Sequence, residues 1–504
     1  MKFLSIYDGH DGNFSYSDGI KVKYFKVERH RQDKHGVWNN IDELLSYIKL
    51  FNIDLTQIDG VVVNFYKELE DVNDTAVRYI KKDVDDTIDP LTKFLKQFTC
   101  PIYGVNHHLL HKLSCWPLKN YDKVNTSFVC DGSGDYFKHN NNKNIDPLKE
   151  IITVFDSYTP KDKIFSPQSL SFGRALRCLG TKWEIKGHVG DLAGKLMGLQ
   201  SYGNIDPDLI KTHEFDNIKT LENLFKISPD KVNVDWIRTI HHLVEGYYLD
   251  YFKSHAKSDE YISYSGGVAQ NILINSKLRE WNKNIIIPPH SSDEGLSLGG
   301  LEFLRLLFGQ EPFDNSGFPY WQNDEVMETP STQTIKKTAE LIARGKIVGW
   351  CQGRGEIGPR ALGNRSILMR PDIEDGKNII NNRVKHREWY RPFGCSVLLD
   401  EANKYFECDF ESQYMLYGVK VRDEKTLASI THIDGTTRPQ TVTDGAFAEL
   451  LEEVRKLTGL SVVLNTSLNI NGKPIATPDV AASMNKSNMG LDAVVIGNNV
   501  NDYL

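Results

Sequence analysis

Two histidines set four residues apart, His107 and His111 in NHHLLH, fall on one face of a helix and can share a metal ion. Position 108 is His where a HExxH zinc peptidase carries its general-base Glu, which argues against peptidase chemistry. The same spacing also suits a helix cap with histidines at the edge of a core. Two further hard ligands stand elsewhere: Asp131 at a strand end in CDGSGD, and Asp293 in PPHSSDEG. Two imidazoles and two carboxylates suit a borderline divalent ion such as iron or zinc.

A second set of residues suits phosphates. Residues 353–366 read GRGEIGPRALGNRS and carry Arg354, Arg360 and Arg365. VKHREWYRPF adds Lys385, Arg387 and Arg391. Cations on loops punctuated by Gly and Pro fit phosphate oxygens. Aromatic interleaving is slight, so a nucleotide or polyphosphate pocket is favoured over a nucleic-acid groove; a solvated basic loop is the plain alternative. NTSLNINGKPI supplies Asn465, Ser467 and Asn469 as small polar groups after a strand, for a ribose or phosphate or a simple turn. In SGGVAQN, Gly266 and Gly267 lead through Val268 to Asn271 and let a backbone approach a ligand at a helix start. GKLMGL, with Lys195 and Gly198, is a weaker signal of the same kind.

The elements that must position these groups read as α/β. Residues 2–8 are strand-like and run into the turn DGHDG, followed by a second strand at roughly 20–28. A similar unit recurs at 126–138 around DGSGD, which suggests a duplicated architecture. Helices are expected near 40–52, 71–98 and 234–256, and strand, Gly-Gly turn and helix across YISYSGGVAQNILINSKL. Residues 306–333 are rich in turn formers and read as a linker. A new α/β unit then opens with a helix at 333–344 and a strand at 346–350, and closes with strands at 460–465 and 492–498.

Composition limits the partners. The 504 residues carry 60 Lys and Arg against 67 Asp and Glu, a net charge of −7, which disfavours a surface built to coat nucleic acid. The hydrophobic fraction of 40% and charged fraction of 25% describe a globular chain rather than a disordered one. The seven cysteines are odd in number and form no CxxC pair, so neither a disulfide framework nor a thiolate zinc site is expected. No signal peptide and no run approaching 18 apolar residues is visible, so the expectation is a cytoplasmic protein without a membrane span.

Taken in order, DGHDG, NHHLLH, VCDGSGD, GKLMGLQSYG, SGGVAQN, SSDEG, GRGEIGPRALGNRSIL, VKHREWYRPF and VLNTSLNINGKPI resemble the O-carbamoyltransferases of the NodU/CmcH family over about residues 3–498. The resemblance implies an N-terminal duplicated actin/sugar-kinase-like domain over 1–310, a linker at 311–332, and a C-terminal YrdC-like α/β domain over 333–504. It implies an ATP-dependent reaction in which carbamoyl phosphate and ATP give carbamoyladenylate, whose carbamoyl group passes to a hydroxyl. Lys385, Arg387, Arg354, Arg360, Arg365 and Arg391 would meet the phosphates. Asn465, Ser467 and Asn469 would hold the nucleotide, with Mg2+. His107, His111, Asp131 and Asp293 would hold a divalent metal, Fe2+ first, with Zn2+ or Mn2+ as alternatives. Lys195, Gly198, Gly266, Gly267, Val268 and Asn271 would bind the adenylate. His10 is the candidate general base, oriented by Asp8, Asp11 or Asp191.

The acceptor stays open at this point: a sugar, an antibiotic-like alcohol, or a hydroxymethylated nucleobase, free or in DNA. A homodimer is a further expectation. Two rival functions are a non-catalytic nucleotide- and metal-binding module and threonylcarbamoyl transfer to tRNA.

Overall fold

The structure is a computed structural model and describes residues 1–64, 76–79, 94–137, 148–166, 171–212, 225–322, 326–469, 472–484 and 490–503. Three main sheets organise it. The first holds β1 (Phe3–Tyr7), β2 (Asn13–Ser17), β3 (Val22–Lys26), β4 (Gly60–Asn64), β5 (Ala76–Tyr79) and β6 (Ile102–Val105) in the order β3-β2-β1-β4-β6-β5. The second holds β7 (Thr126–Cys130), β8 (Tyr136–Phe137), β9 (Leu148–Asp156), β10 (Thr159–Ser166), β11 (Ile262–Ser265) and β12 (Ile285–Ile286). Its order is β10-β9-β7-β11-β12, with β8 beside β9.

The two sheets repeat one plan. In each, an antiparallel meander (β1 to β3, or β7, β9 and β10) runs into parallel strands (β1-β4-β6, or β7-β11-β12). DGHDG follows β1 and DGSGD follows β7, so the two carboxylate turns occupy equivalent places. This is the duplicated α/β architecture the sequence suggested. In open α/β sheets, ligands sit beyond the carboxyl ends of parallel strands. The turns after β1 and β7, the Gly-Gly turn after β11 and the His107 helix after β6 all start there.

A helix over Leu296–Leu307 packs against β1, β2 and β4 and against the helix His107–Leu113. The close approach requires glycine, since a Cβ on Gly299 would lie 2.0 Å from the Leu110 carbonyl oxygen. Leu298, Leu301 and Leu304 are fully buried, and each such side chain contributes about 1.5–3 kcal/mol. The helix thereby locks the metal-ligand candidate Asp293, three residues before its start, over the first sheet.

The third sheet is seven-stranded, in the spatial order Pro439–Val442, Gly394–Leu398, Val462–Ser467, Arg365–Met369, Val348–Cys351, Ala493–Ile496 and Asn499–Asp502. Two apolar clusters cover its faces, one around Ile367, Cys395 and Leu464, the other around Trp350, Leu368 and Val463. The turn-rich segment before it lies against both neighbours: Phe313 and Trp321 are buried on Trp116, and Gln322 N–H donates to Gly355.

Several sequence expectations shift. The strand expected at 20–28 is β3 alone and ends at Lys26, where a short helix Val27–Arg31 begins; β2 precedes it as a separate strand. Within the expected helix 71–98, residues 76–79 instead form β5, paired antiparallel with β6, while 94–95 are helical; residues 71–75 and 80–93 lie outside the described residues. The expected helices at 40–52 and 234–256 are Ile41–Leu50 and Val234–His255. None of the seven cysteines is in a disulfide. Among the described residues no helix is long and apolar enough to cross a membrane.

Candidate functional site

One cavity of about 680 Å³ runs between the duplicated sheets and the third sheet and is lined from all three. At one end stands the His/Asp quartet. Asn106 caps the His107–Leu113 helix by accepting from Leu109 N–H at 2.9 Å, and its amide donates to Asp135 and Glu150. The helix so fixed aims His107 and His111 one turn apart toward Asp131 and Asp293. His107 Nε2 is 3.5 Å from Asp131 Oδ2 and from Asp293 Oδ1; His111 Nε2 is 3.4 Å from Asp293 Oδ1 and 3.9 Å from Asp131 Oδ1. One ligand atom from each of the four residues lies within 4.8 Å of the others, and all four residues are buried.

The surroundings orient these groups. Gly267 N–H donates to Asp131 Oδ1 at 2.7 Å, and Tyr7 Oη donates to Asp293 Oδ2 at 2.5 Å. Burial pushes the Asp131 carboxyl up, but the His107 hydrogen bond and the two imidazoles outweigh it and hold the group well below the usual carboxylate range. This donor set, two imidazoles and two oriented carboxylates, fits a divalent transition ion. His108, between the ligand candidates, is not part of the set. Its Nδ1 lies 2.8 Å from Thr153 Oγ1, and burial pushes it down to about 4.

Beside the quartet, His10 Nδ1 is 3.1 Å from Asp11 Oδ2 and its Nε2 is 3.4 Å from Asp293 Oδ2. Asp293, and then the Asp11 hydrogen bond, lift His10 to about 9. Half of the His10 side chain is open to the cavity. Asp11 is itself held from behind. His35 Nδ1 lies 3.0 Å from Asp11 Oδ2, and Lys26 Nζ lies 3.1 Å from Asp11, 3.0 Å from Glu28 and 2.7 Å from Glu294. Asp11, Glu28 and His35 also cluster closely enough to suggest a metal. The Lys26 ammonium already supplies the positive charge there.

Of the proposed orienting residues, Asp11 holds His10 directly. Asp191 pairs instead with Lys34 at 2.6 Å and approaches His35 Nε2 at 3.7 Å. Asp8 is exposed and absent from the cavity wall.

At the other end stand the phosphate candidates. Arg360, Lys385, Arg387 and Arg391 line the cavity with Asn465, Ser467 and Asn469. Lys385 Nζ donates to Ser467 O at 2.7 Å and to Asn469 Oδ1 at 2.5 Å. Burial and the neighbouring Arg387 and Arg391 push Lys385 well below the usual ammonium range. Burial, with Arg391 beside it, pushes Arg360 down to about 10. The Nε atoms of Arg360 and Arg387 are buried without a hydrogen-bond partner. Sequence reading missed Arg438, a half-buried cation on the same wall whose buried Nε is likewise unpartnered. It stands in no motif and reaches the site only through the sheet, on the residue before Pro439–Val442.

Two arginines of the basic loop do not reach the cavity. Arg354 is exposed. Arg365 is fully buried and donates to the carbonyls of Gln352, Asn364 and Gly353, so it ties the loop together.

Gly198, Gly267, Val268 and Asn271 lie on the wall between the two ends. Gly266 is not on the wall. It holds the turn at φ +91°, where a Cβ would meet the Cys130 carbonyl oxygen at 2.3 Å. Lys195 is also off the wall, turned to Glu388 Oε1 at 2.6 Å and to the Lys186 carbonyl.

Residues 339–502 match the family model described as Carbamoyltransferase C-terminus. The chain is 30% identical over 444 residues to the nodulation protein NolNO of Sinorhizobium fredii, a match over 78% of this chain and 63% of that protein. It therefore spans somewhat less than two thirds of that relative. It is 35% identical over 221 residues to the 3'-hydroxymethylcephem-O-carbamoyltransferase of Amycolatopsis lactamdurans, over 42% of each chain. Among solved structures it is similar to T. kodakarensis HypF, with a TM-score of 0.40 and 13% identity over 61% of this chain and 48% of that one. Its C-terminal residues thus resemble the carbamoyltransferase C-terminus, and over part of its length the chain is similar to a cephem O-carbamoyltransferase and to a nodulation protein.

Proposed function

We propose that the protein is an ATP-dependent O-carbamoyltransferase, with residues 333–504 forming carbamoyladenylate and residues 1–310 transferring the carbamoyl group. The observation that carries the reading is the single cavity joining a buried cation cluster to a His/Asp quartet with a half-open histidine beside it.

In the first stage water cleaves carbamoyl phosphate to carbamate and phosphate. A carbamate oxygen then attacks the α-phosphorus of ATP, and pyrophosphate leaves. Lys385, Arg387, Arg360, Arg391 and Arg438 neutralise the charge that builds on the phosphates, and Mg2+ accompanies the ATP. Ser467 and Asn469 hold Lys385 in place. Adenylation is needed because carbamate is a poor electrophile and requires a good leaving group.

In the second stage the acceptor oxygen bonds to the carbamoyl carbon, the bond from that carbon to the phosphoryl oxygen breaks, and AMP departs. His10 takes the acceptor proton at Nε2 while Asp11 holds Nδ1. Gly267, Val268 and Asn271 hold the adenosine. An iron-like divalent ion on His107, His111, Asp131 and Asp293 would supply a Lewis-acidic contact to the adenylate and offset the Asp293 charge that draws His10 up.

The test is pyrophosphate release that requires both ATP and carbamoyl phosphate. Lys385→Ala should abolish it, and His10→Asn should leave it intact while stopping transfer. Pyrophosphate release that proceeds at the wild-type rate in Lys385→Ala would remove that residue from the adenylation site.

A further inference from the structure

Neither stage above uses one group of charges on the cavity wall. Every carboxylate lining the cavity among the described residues is committed. Asp11, Glu28 and Glu294 surround Lys26; Asp191 holds Lys34; Asp434 accepts from Thr436; and Asp131 and Asp293 face the two histidines. Lys149, Arg174 and Arg177 also line the cavity, and among the described residues no carboxylate pairs with any of them. Lys149 sits on β9, in register with Tyr136 just beyond the Asp131 turn. Arg174 and Arg177 are one turn apart on the helix Phe172–Lys182, which Ser171 caps, so they share a face.

These three are a separate group from the donor-phosphate cations. Arg360, Arg387 and Arg438 each feel Arg391. Lys149 is lowered by burial and by Arg174, with none of that set contributing. The donor also has little use for them. Once pyrophosphate has left, the adenylate carries a single phosphoryl charge, and its ligands are already assigned. The ligand still without a binding surface is the acceptor.

We propose that Lys149, Arg174 and Arg177 form a phosphate-binding subsite for the acceptor, so that the acceptor alcohol is a phosphate ester of the nucleotide kind. This rests on the carbamoyltransferase reading above. A phosphate monoester brings about −1.5 to −2 charges at neutral pH and three acceptor oxygens, which three cations without a carboxylate partner among the described residues match. A cationic alcohol meets repulsion on the same wall. The phosphate belongs either to a free nucleotide, as that monoester, or to a nucleic-acid strand, where each diester brings one negative charge. In a strand, the reacting base must leave the stack to reach His10.

The experiment compares 5-hydroxymethyl-2′-deoxycytidine, its 5′-monophosphate and a short single-stranded oligonucleotide containing it. Each is offered with ATP and carbamoyl phosphate, and carbamoylated product is followed by mass spectrometry and pyrophosphate separately. The wild type should show a KM for the phosphate-bearing forms lower than for the nucleoside by about tenfold or more, and the gap should shrink with added salt. Arg174→Gln/Arg177→Gln should erase the gap while carbamoyl-phosphate-dependent pyrophosphate release stays unchanged; Arg174→Lys/Arg177→Lys should restore most of it. Preference for the oligonucleotide identifies a strand as the source, and preference for the monophosphate a free nucleotide.

Equal KM for nucleoside and phosphate forms, or a gap that survives the Gln pair, overturns the subsite. Loss of pyrophosphate release in the Gln pair reassigns the three cations to the donor and also overturns it. Absence of pyrophosphate in the wild type strikes instead at the carbamoyltransferase reading. Calorimetric binding of the monophosphate against the nucleoside, in wild type and Gln pair, then decides the subsite without turnover.

Discussion

Replacing Lys26 by Met removes an ammonium that sits 3.1, 3.0 and 2.7 Å from Asp11, Glu28 and Glu294. Burial alone would lower Lys26, yet the three carboxylates raise it well above its usual range, so the charge is held by its partners. Each contact at such a distance corresponds to a gross attraction of about 5 kcal/mol at an effective dielectric near 20. Most of that offsets desolvation, and removing one partner of a buried cluster costs roughly 3–5 kcal/mol. For a lobe of this size that is a Tm fall on the order of 10 °C.

The pH dependence gives a second, independent mark. Without Lys26, Asp11 and Glu28 take folded pKa values above their unfolded ones. Their contribution to stability is then present at low pH and lost as pH rises. The variant should therefore be closer to wild type at pH ~5 than at pH ~7. Differential scanning of both proteins across that interval checks this. A Tm loss worth under about 1 kcal/mol, or a deficit that does not change with pH, would refute the idea that the cluster is bound by this one ammonium.

Further outcomes are expected. His35 is lowered by burial but raised more strongly by Asp11 and Asp191, to about 10, so its contribution to stability is full below pH ~6.5 and fades toward pH ~10. His35→Gln should flatten the alkaline limb of the Tm–pH curve. Gly266→Ala should cost more than about 2 kcal/mol in chemical denaturation, from its left-handed backbone and the Cys130 carbonyl clash. Arg354→Ala should leave pyrophosphate release within about twofold of wild type, whereas Arg365→Gln should lower Tm by unpinning the loop. Treatment with a strong chelator should stop carbamoyl transfer yet leave pyrophosphate release intact once Mg2+ is restored.

The sequence exposed the chemistry better than its packing. His107, His111, Asp131 and Asp293 were legible because ligand type and strand-end position survive in one dimension, and they meet within one small volume. Lys385, Ser467 and Asn469 likewise lie within bonding distance of one another. The misses have a common cause: motif membership does not fix side-chain direction. Arg365 shares a motif with Arg360, yet it opens a strand whose every residue is buried, and its guanidinium turns to backbone carbonyls. Lys195 lies between glycines that reach the cavity, but it is on the helix face toward Glu388. Lys26, Arg438 and the Lys149 group had no motif at all, since each becomes meaningful only when distant strands are laid side by side.

The cation cluster around Lys385 has a consequence for handling the protein. Arg360, Lys385, Arg387 and Arg438 are all lowered by burial first and then by neighbouring cations, Arg391 among them in every case. Like charges crowded this way make the unliganded fold costly, and any small oxyanion that enters relieves the crowding. Phosphate or sulfate in a buffer should therefore behave as a co-folding solute, raising Tm with its logarithmic concentration. Two laboratories using different buffers would then measure two different stabilities for the same chain, and inorganic phosphate released in the first stage would compete with ATP for the same cradle.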